Sequence, residues 1–168
     1  MITRTLKQLL RSACFIALLL PLATAAGGEA PVSSLRQLAR RADLIAFGHC
    51  QSAQSGWDEQ HRFIVTTIRF QPRRTFKGTA GDSVTVKVLG GQVGDQAMTA
   101  SQSTAMRTGE EAVLFLQRSR FGKYFVIAGG ADGKLPVVRS TRSGRPLIRG
   151  ALSLDDFGHL LAGPTEAQ

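Results

Sequence analysis

The chain has 168 residues, 43% hydrophobic and 20% charged, with 21 Lys and Arg against 12 Asp and Glu for a formal net charge of +9. That length supports one ordinary hydrophobic core. Its two cysteines exclude a disulfide-dense scaffold, and the excess of arginine favours acidic partners or surfaces without naming one.

Residues 1–25 read as a cleavable signal peptide. Arg4, Lys7 and Arg11 form a positive stretch without acids, residues 13–20 are a short apolar run closed by Pro21, and Ala23-Thr24-Ala25 supplies small residues for a peptidase. A membrane span needs about 20 apolar residues, so no transmembrane anchor is expected in the mature chain, and the destination is the periplasm or the medium. Cleavage removes Cys14, leaving Cys50 without a partner in its own chain, so the domain must be held by its core. Residues 26–33 form a flexible leader.

Ser34 with Gln37 reads as a capping box, followed by an apolar stripe of Leu35, Leu38, Ala39 and Ala42 on a short helix ending near Asp43. The period then changes to two. Leu44–Gln51 is a strand with Ala46, Gly48 and Cys50 on one face and Ile45, Phe47 and His49 on the other. Small residues on one face suit a tight barrel interior. Residues 52–61 form a polar turn, Phe63–Phe70 a β-branched strand running raggedly through Pro72, and residues 75–82 a connection. Ser83–Leu89 places Val84, Val86 and Val88 inward. Residues 89–109 lack a period and form a long loop, the kind of segment that often carries function. Strands follow at Glu111–Gln117 and Tyr124–Ala128, and Asp132-Gly133 signals a hairpin into Lys134–Val138. Residues 139–149 read as a basic linker. Ser153 caps a last helix, with Asp156 three residues on, a Leu152–Phe157 staple and a stop at Gly163-Pro164. The expected fold is mainly β: a small Greek-key, OB-like barrel of five to six strands over residues 34–138, with a short helix before the first strand, and a basic linker and C-terminal helix over 139–168. A β-sandwich is the alternative.

Four segments then carry a resemblance: Ala42-Asp43-Leu44-Ile45, Thr75-Phe76-Lys77-Gly78, the run from Gly109 to Leu116, and the run from Lys123 to Gly129. Their order resembles netrin-like domains, the superfamily that includes the tissue inhibitors of metalloproteinases, and is similar to exported bacterial proteins with the same Phe-Lys-Gly and Gly-Glu-Glu segments. The resemblance covers residues 42–138 and implies an OB-like barrel. The inhibitors place a disulfide-bonded N-terminal cysteine on a zinc ion. Here the mature N-terminus would lie near Ala26 and the only mature cysteine is Cys50, so that mechanism does not carry over.

No motif for catalysis stands out. No Gly-x-Ser-x-Gly elbow occurs, and His49 and Cys50, adjacent on a strand, diverge to opposite faces. Cys50 is therefore expected to be buried and structural. The histidines at 49, 61 and 159 are scattered, and Asp58, Glu59 and His61 share one polar turn. Gly90-Gly91-Gln92-Val93-Gly94 lacks the following helix that a phosphate loop requires. No cofactor or metal is implied. The first expectation is an exported, non-enzymatic binding module for a protein or peptide, with Phe47, His49, Trp57, Gly91, Val93 and Arg107 as candidate surface and an exposed apolar patch beside the 89–109 loop as its mark. Trp57 serves there either as a plug over the barrel end or as a stacking platform. The second is a binder of polyanions such as acidic envelope polymers, through Arg69, Arg73, Arg74, Lys77, Arg139, Arg142 and Arg145, with Arg118, Arg120 and Lys123 in a hairpin turn. Export excludes cytoplasmic nucleic acid. A hydrolase would need titratable groups converging in one cleft.

Overall fold

A computed structural model describes residues 32–100 and 104–163. The expected signal peptide and most of the leader lie outside the described residues. Among the described residues, no helix is long and apolar enough to cross a membrane.

The chain folds as α1 (Val32–Arg41), β1 (Leu44–Trp57), β2 (Ile64–Lys77), β3 (Val84–Leu89), β4 (Gly91–Val93), β5 (Gln96–Met98), β6 (Glu111–Arg118), β7 (Phe125–Ile127), a 3-10 turn (Gly130–Gly133), β8 (Lys134–Arg139), β9 (Pro146–Ile148), β10 (Leu152–Ser153) and α2 (Leu154–Ala162). Five strands close a barrel in the order β1-β2-β3-β7-β6 and back to β1. Four of its ladders are antiparallel, and β3 meets β7 in parallel at Val86 and Phe125. The fold is mainly β and OB-like, with one short helix before the first strand and another at the C-terminal end.

Period-two patterning fills the interior. Leu44, Ala46 and Cys50 of β1 face in with Ile68 and Phe70 of β2, Val84, Val86 and Val88 of β3, Ala112, Leu114 and Leu116 of β6, and Phe125 and Ile127 of β7. The small inward residues of β1 are needed: a Cβ on Gly48 would overlap the Gln71 carbonyl and the Phe70 ring. The register of β1 against β2 shifts between Ile45 and Ala46, Phe47 and Gly48, and Cys50 and Ser52. Such irregularities bend a strand, and this one must bend to pair with β2 along its length and with β6 over its first half.

A second core lies outside the barrel wall. Ile45 and Phe47 of β1, Val113 and Phe115 of β6, and Leu135 and Val137 of β8 are covered by Leu35, Leu38 and Ala42 at α1 and by Phe157 of α2. Phe157 is fully buried and meets Phe76 and Phe115 edge-on, at centroid distances of 5.0 and 6.1 Å. Lys77 closes the end of α1 by donating to the Ala39 carbonyl at 2.7 Å. Ser153 caps α2, its hydroxyl accepting from the Asp156 amide at 3.1 Å.

Several boundaries differ from the expectations. The first helix begins at Val32, which puts Ser34 inside it rather than ahead of it. β1 continues through the polar stretch to Trp57 because β2 pairs with it throughout, and the turn shrinks to residues 58–63. Asp58 Oδ1 closes that turn by accepting from the amides of Arg62 at 2.6 Å and Phe63 at 3.0 Å, and these bonds hold its carboxyl below the usual range. Thr75–Lys77 belongs to β2. The 89–109 segment contains the β4–β5 hairpin. Asp132-Gly133 does not join a hairpin, since β8 pairs with β6 rather than β7; the dipeptide ends a 3-10 turn in which Gly133 passes too close to the Ala128 carbonyl for a side chain. The 139–149 stretch is not a linker, because β9 pairs with β8 and β10 with β9.

Replacing Phe157 by Ala should destabilise the fold by about 3–5 kcal/mol, and replacing Ser153 by Ala by about 1 kcal/mol, both read as shifts in urea midpoint. A Phe157→Ala chain as stable as the parent would contradict the second core.

Candidate binding surface

The second core makes the barrel wall two-sided. The outer faces of β6, of the first half of β1 and of the end of β2 at Phe76 are covered, whereas β3, β7 and the first half of β2 turn theirs to solvent. On that bare face Thr67, Arg69, Thr85 and Leu89 are exposed, and Val65, Lys87, Tyr124 and Val126 are half-buried. Lys87 lies over the Tyr124 ring at 4.7 Å.

At the end of the barrel where β1 finishes, three large apolar side chains stay in contact with water: Trp57 at 38% exposure, Phe63 at 43% and Leu89 at 49%. The register brings them to one rim from two sides: Trp57 takes the inward side of its partner Ile64, and Phe63 and Leu89 the outward side of Val65. Arg62 reaches over the Phe63 ring at 5.6 Å. The β4–β5 hairpin leaves from the same rim and is fastened to it. Thr66 donates from Oγ1 to the Gly90 carbonyl at 2.6 Å, and its hydroxyl also pairs with that of Ser55 at 2.9 Å. Gly91, at φ 138°, passes so close that a Cβ would overlap both hydroxyls. Gly91 thus anchors the hairpin rather than contacting a ligand through a side chain. Val93 is half-buried on β4, and Arg107 is exposed, its amide donating to Glu110 Oε2 at 2.9 Å.

Phe47 is not a surface residue. Its side of β1 faces the helices, and it is 5% exposed within the second core. His49 is half-buried opposite Glu111 and Gln71, and its Nδ1 is buried without a hydrogen-bond partner among the described residues. Cys50 is fully buried in the barrel, and burial, with Glu110 nearby adding to it, pushes its thiol pKa up. Histidine and cysteine therefore sit on opposite sides of one strand.

Of the seven arginines and lysines expected to contact a polyanion, four are engaged within the fold. Arg73 and Arg139 both hold Glu111 Oε1, at 2.5 and 2.7 Å; the Glu111 side chain is 13% exposed. Arg74 pairs with Asp155 at 2.6 Å, which lowers the pKa of that carboxyl, and lies over Phe76. Lys77 caps α1. Arg69 stands on the bare face, and Arg142 and Arg145 in the β8–β9 turn. Among the described residues, no group of three His, Cys, Asp or Glu side chains is arranged to hold a metal ion. An open cleft of about 410 Å³ between the helices is lined by Arg36, Ala39, Arg40, Ile45, Lys77 and Leu161, without a carboxylate.

The sequence pointed to Arg118, Arg120 and Lys123 in their turn but not to Phe63, Leu89 or the exposed Phe121 at that turn's tip. Parity carried the signal for Phe63 and Leu89: Phe63 shares the outward phase of Val65, and Leu89 falls out of phase with Val84, Val86 and Val88. No protein-family model matches the chain, and no curated protein matches it in sequence.

Because its folded pKa is raised, Cys50 favours the native state fully below the pKa of an unfolded thiol, about 8.5, and less as pH rises through the folded value. At that pH a thiol reagent should label Cys50 only after denaturation. Rapid labelling of the native chain would contradict its inward placement.

Proposed function

We propose that the chain is an exported, non-enzymatic binding module that receives a protein or peptide on the rim formed by Trp57, Phe63 and Leu89 and on the adjoining bare face of β2 and β3. The exposed apolar rim beside the 89–109 segment carries this reading. Three large side chains left in water around one fastened hairpin form a surface that gains by being covered. OB barrels bind ligands on the face of their second and third strands, which here is the side that the helices leave open. A netrin-like origin is part of the proposal, supported by the closed five-strand order with a helix at either end.

Non-catalytic use is supported by what the polar groups already do. Glu110 and Glu111 neutralise Lys134, Arg73 and Arg139, Asp58 closes a turn, and Cys50 lies inside the barrel away from His49. The polyanion reading is weakened by the same pairings, since Arg73, Arg74, Lys77 and Arg139 are engaged within the fold. Export rests on residues 1–25.

Two measurements test this. Mass spectrometry of the exported fraction should place the mature N-terminus within a few residues of Ala26, and an intact Met1 there refutes cleavage. A photo-crosslinker at position 63 in the cell envelope should capture a discrete protein. That capture should survive about 1 M salt, where the Debye length is ~3 Å, and should be lost with Leu89→Asp. Capture of acidic polymers alone, vanishing with salt, would transfer the function to the arginines.

A further inference from the structure

The opposite end of the barrel carries a different surface. β1 runs from Leu44 to Trp57, and β6 runs antiparallel to it, with Leu116 opposite Leu44. The β6–β7 turn therefore lies at the Leu44 end, away from Trp57, Phe63 and Leu89. At its tip Phe121 is 78% exposed, the most exposed of the large apolar side chains among the described residues. The ring is not on a loose segment. The Ser119 amide donates to the Tyr124 carbonyl and the Gly122 amide to the Ser119 carbonyl, each at 2.9 Å, with Gly122 at φ 68° where a side chain would be strained.

Positive charge surrounds this ring. Arg118, Arg120 and Lys123 flank it in sequence, and no Asp or Glu occurs between positions 112 and 131. Among the described residues, the ion pairs engage Arg73, Arg74, Lys134 and Arg139 but none of these three. The Arg118 guanidinium lies over the Phe125 ring at 5.1 Å. Arg40 and Arg41, at the end of α1, add to the same end. Carboxylates at that end among the described residues include Asp82, exposed in the β2–β3 connection, and Asp43, whose Oδ2 accepts from the Arg118 amide at 2.8 Å.

We propose that this end docks on an anionic lipid bilayer, with Phe121 entering the boundary between headgroups and acyl chains and Arg118, Arg120 and Lys123 lying against headgroup phosphates. A projecting apolar side chain ringed by cations suits such a boundary, where one group needs hydrocarbon and its neighbours need phosphate. A soluble acidic polymer would engage the cations but leave the ring in water. This inference is independent of the partner rim and would hold if that rim bound nothing.

Sedimentation of the full chain with lipid vesicles tests it. The chain should partition into phosphatidylcholine–phosphatidylglycerol vesicles in preference to phosphatidylcholine alone. Arg120→Ala and Lys123→Ala should each lower that partition about fivefold, and Phe121→Ser about tenfold, with thermal stability unchanged because all three side chains are exposed. The apolar run at 13–20 is common to every variant, so the differences report the turn. As a second readout, Phe121→Trp in a Trp57→Phe background should shift its emission to the blue with anionic vesicles and stay unshifted with neutral ones. Unshifted emission with anionic vesicles overturns the proposal. So does full-strength partition of Phe121→Ser that heparin competes away, which would reassign the cations to soluble polyanions.

Discussion

The structure depends on β1 serving as a wall of two cores at once. A strand buried on both faces cannot alternate apolar with polar residues, and Leu44–Phe47 accordingly reads Leu-Ile-Ala-Phe, every member buried. The same strand pairs with β6 on one edge and β2 on the other, so closure of the barrel passes through it. Its three register shifts let it curve between those neighbours, and Gly48 admits the Gln71 backbone where a side chain would not fit. Loss of that curvature would open the barrel and separate the helices from the surface they cover.

The division between covered and open wall follows from that arrangement. α1 leads directly into β1, and α2 follows the β8–β9–β10 extension, so both helices are delivered to the side where β1, β6 and β8 adjoin. Phe157, Phe76 and Phe115 seal that side. The helices leave β3, β7 and the first half of β2 uncovered, where threonines, Arg69 and Lys87 point outward beside half-buried Val65, Tyr124 and Val126, and the most exposed apolar side chains stand at the rim. Ion pairing follows the same division. Glu110, Glu111 and Asp155 neutralise cations around the covered side, and the unpaired Arg118, Arg120 and Lys123 gather at one end of the open one.

Much of the barrel was legible in the sequence because interior alternation is a local signal. Val84, Val86 and Val88, and the small face of β1, announced their inward placement. Ser153 and Asp156 likewise announced the start of α2. What failed depended on partners distant in sequence. Phe47 looked like an outward residue because parity gives only the opposite face of a strand, and nothing local reports that two helices cover that face. Asp132-Gly133 has the local chemistry of a hairpin turn, but the pairing of β8 with β6 is decided by Leu135 entering the second core beside Val113. The 139–149 stretch reads as a linker because β9 is three residues long, and its pairing with β8 is nonlocal. Arginine clusters were the least legible feature. Spacing along the chain placed Arg73 and Arg139 in separate basic clusters, both candidates for an anion, and only the fold reveals Glu111 held between them.

That last point bears on how the net charge of +9 should be understood. A cation that bridges two elements through a carboxylate contributes to the far field but is not free to reorganise around a ligand without giving up its partner. Glu111, largely shielded and gripped from β2 and β8, ties the two sides of the β1–β6 wall together, so Arg73 and Arg139 belong to the framework. The capacity to meet an anion lies with side chains that have no such duty, and the fold leaves three of these around one projecting phenylalanine. The rim at the other end lacks that concentration of charge and offers apolar area instead. Two ends of one barrel thereby present unlike chemistry, and a ligand suited to one has little to gain at the other.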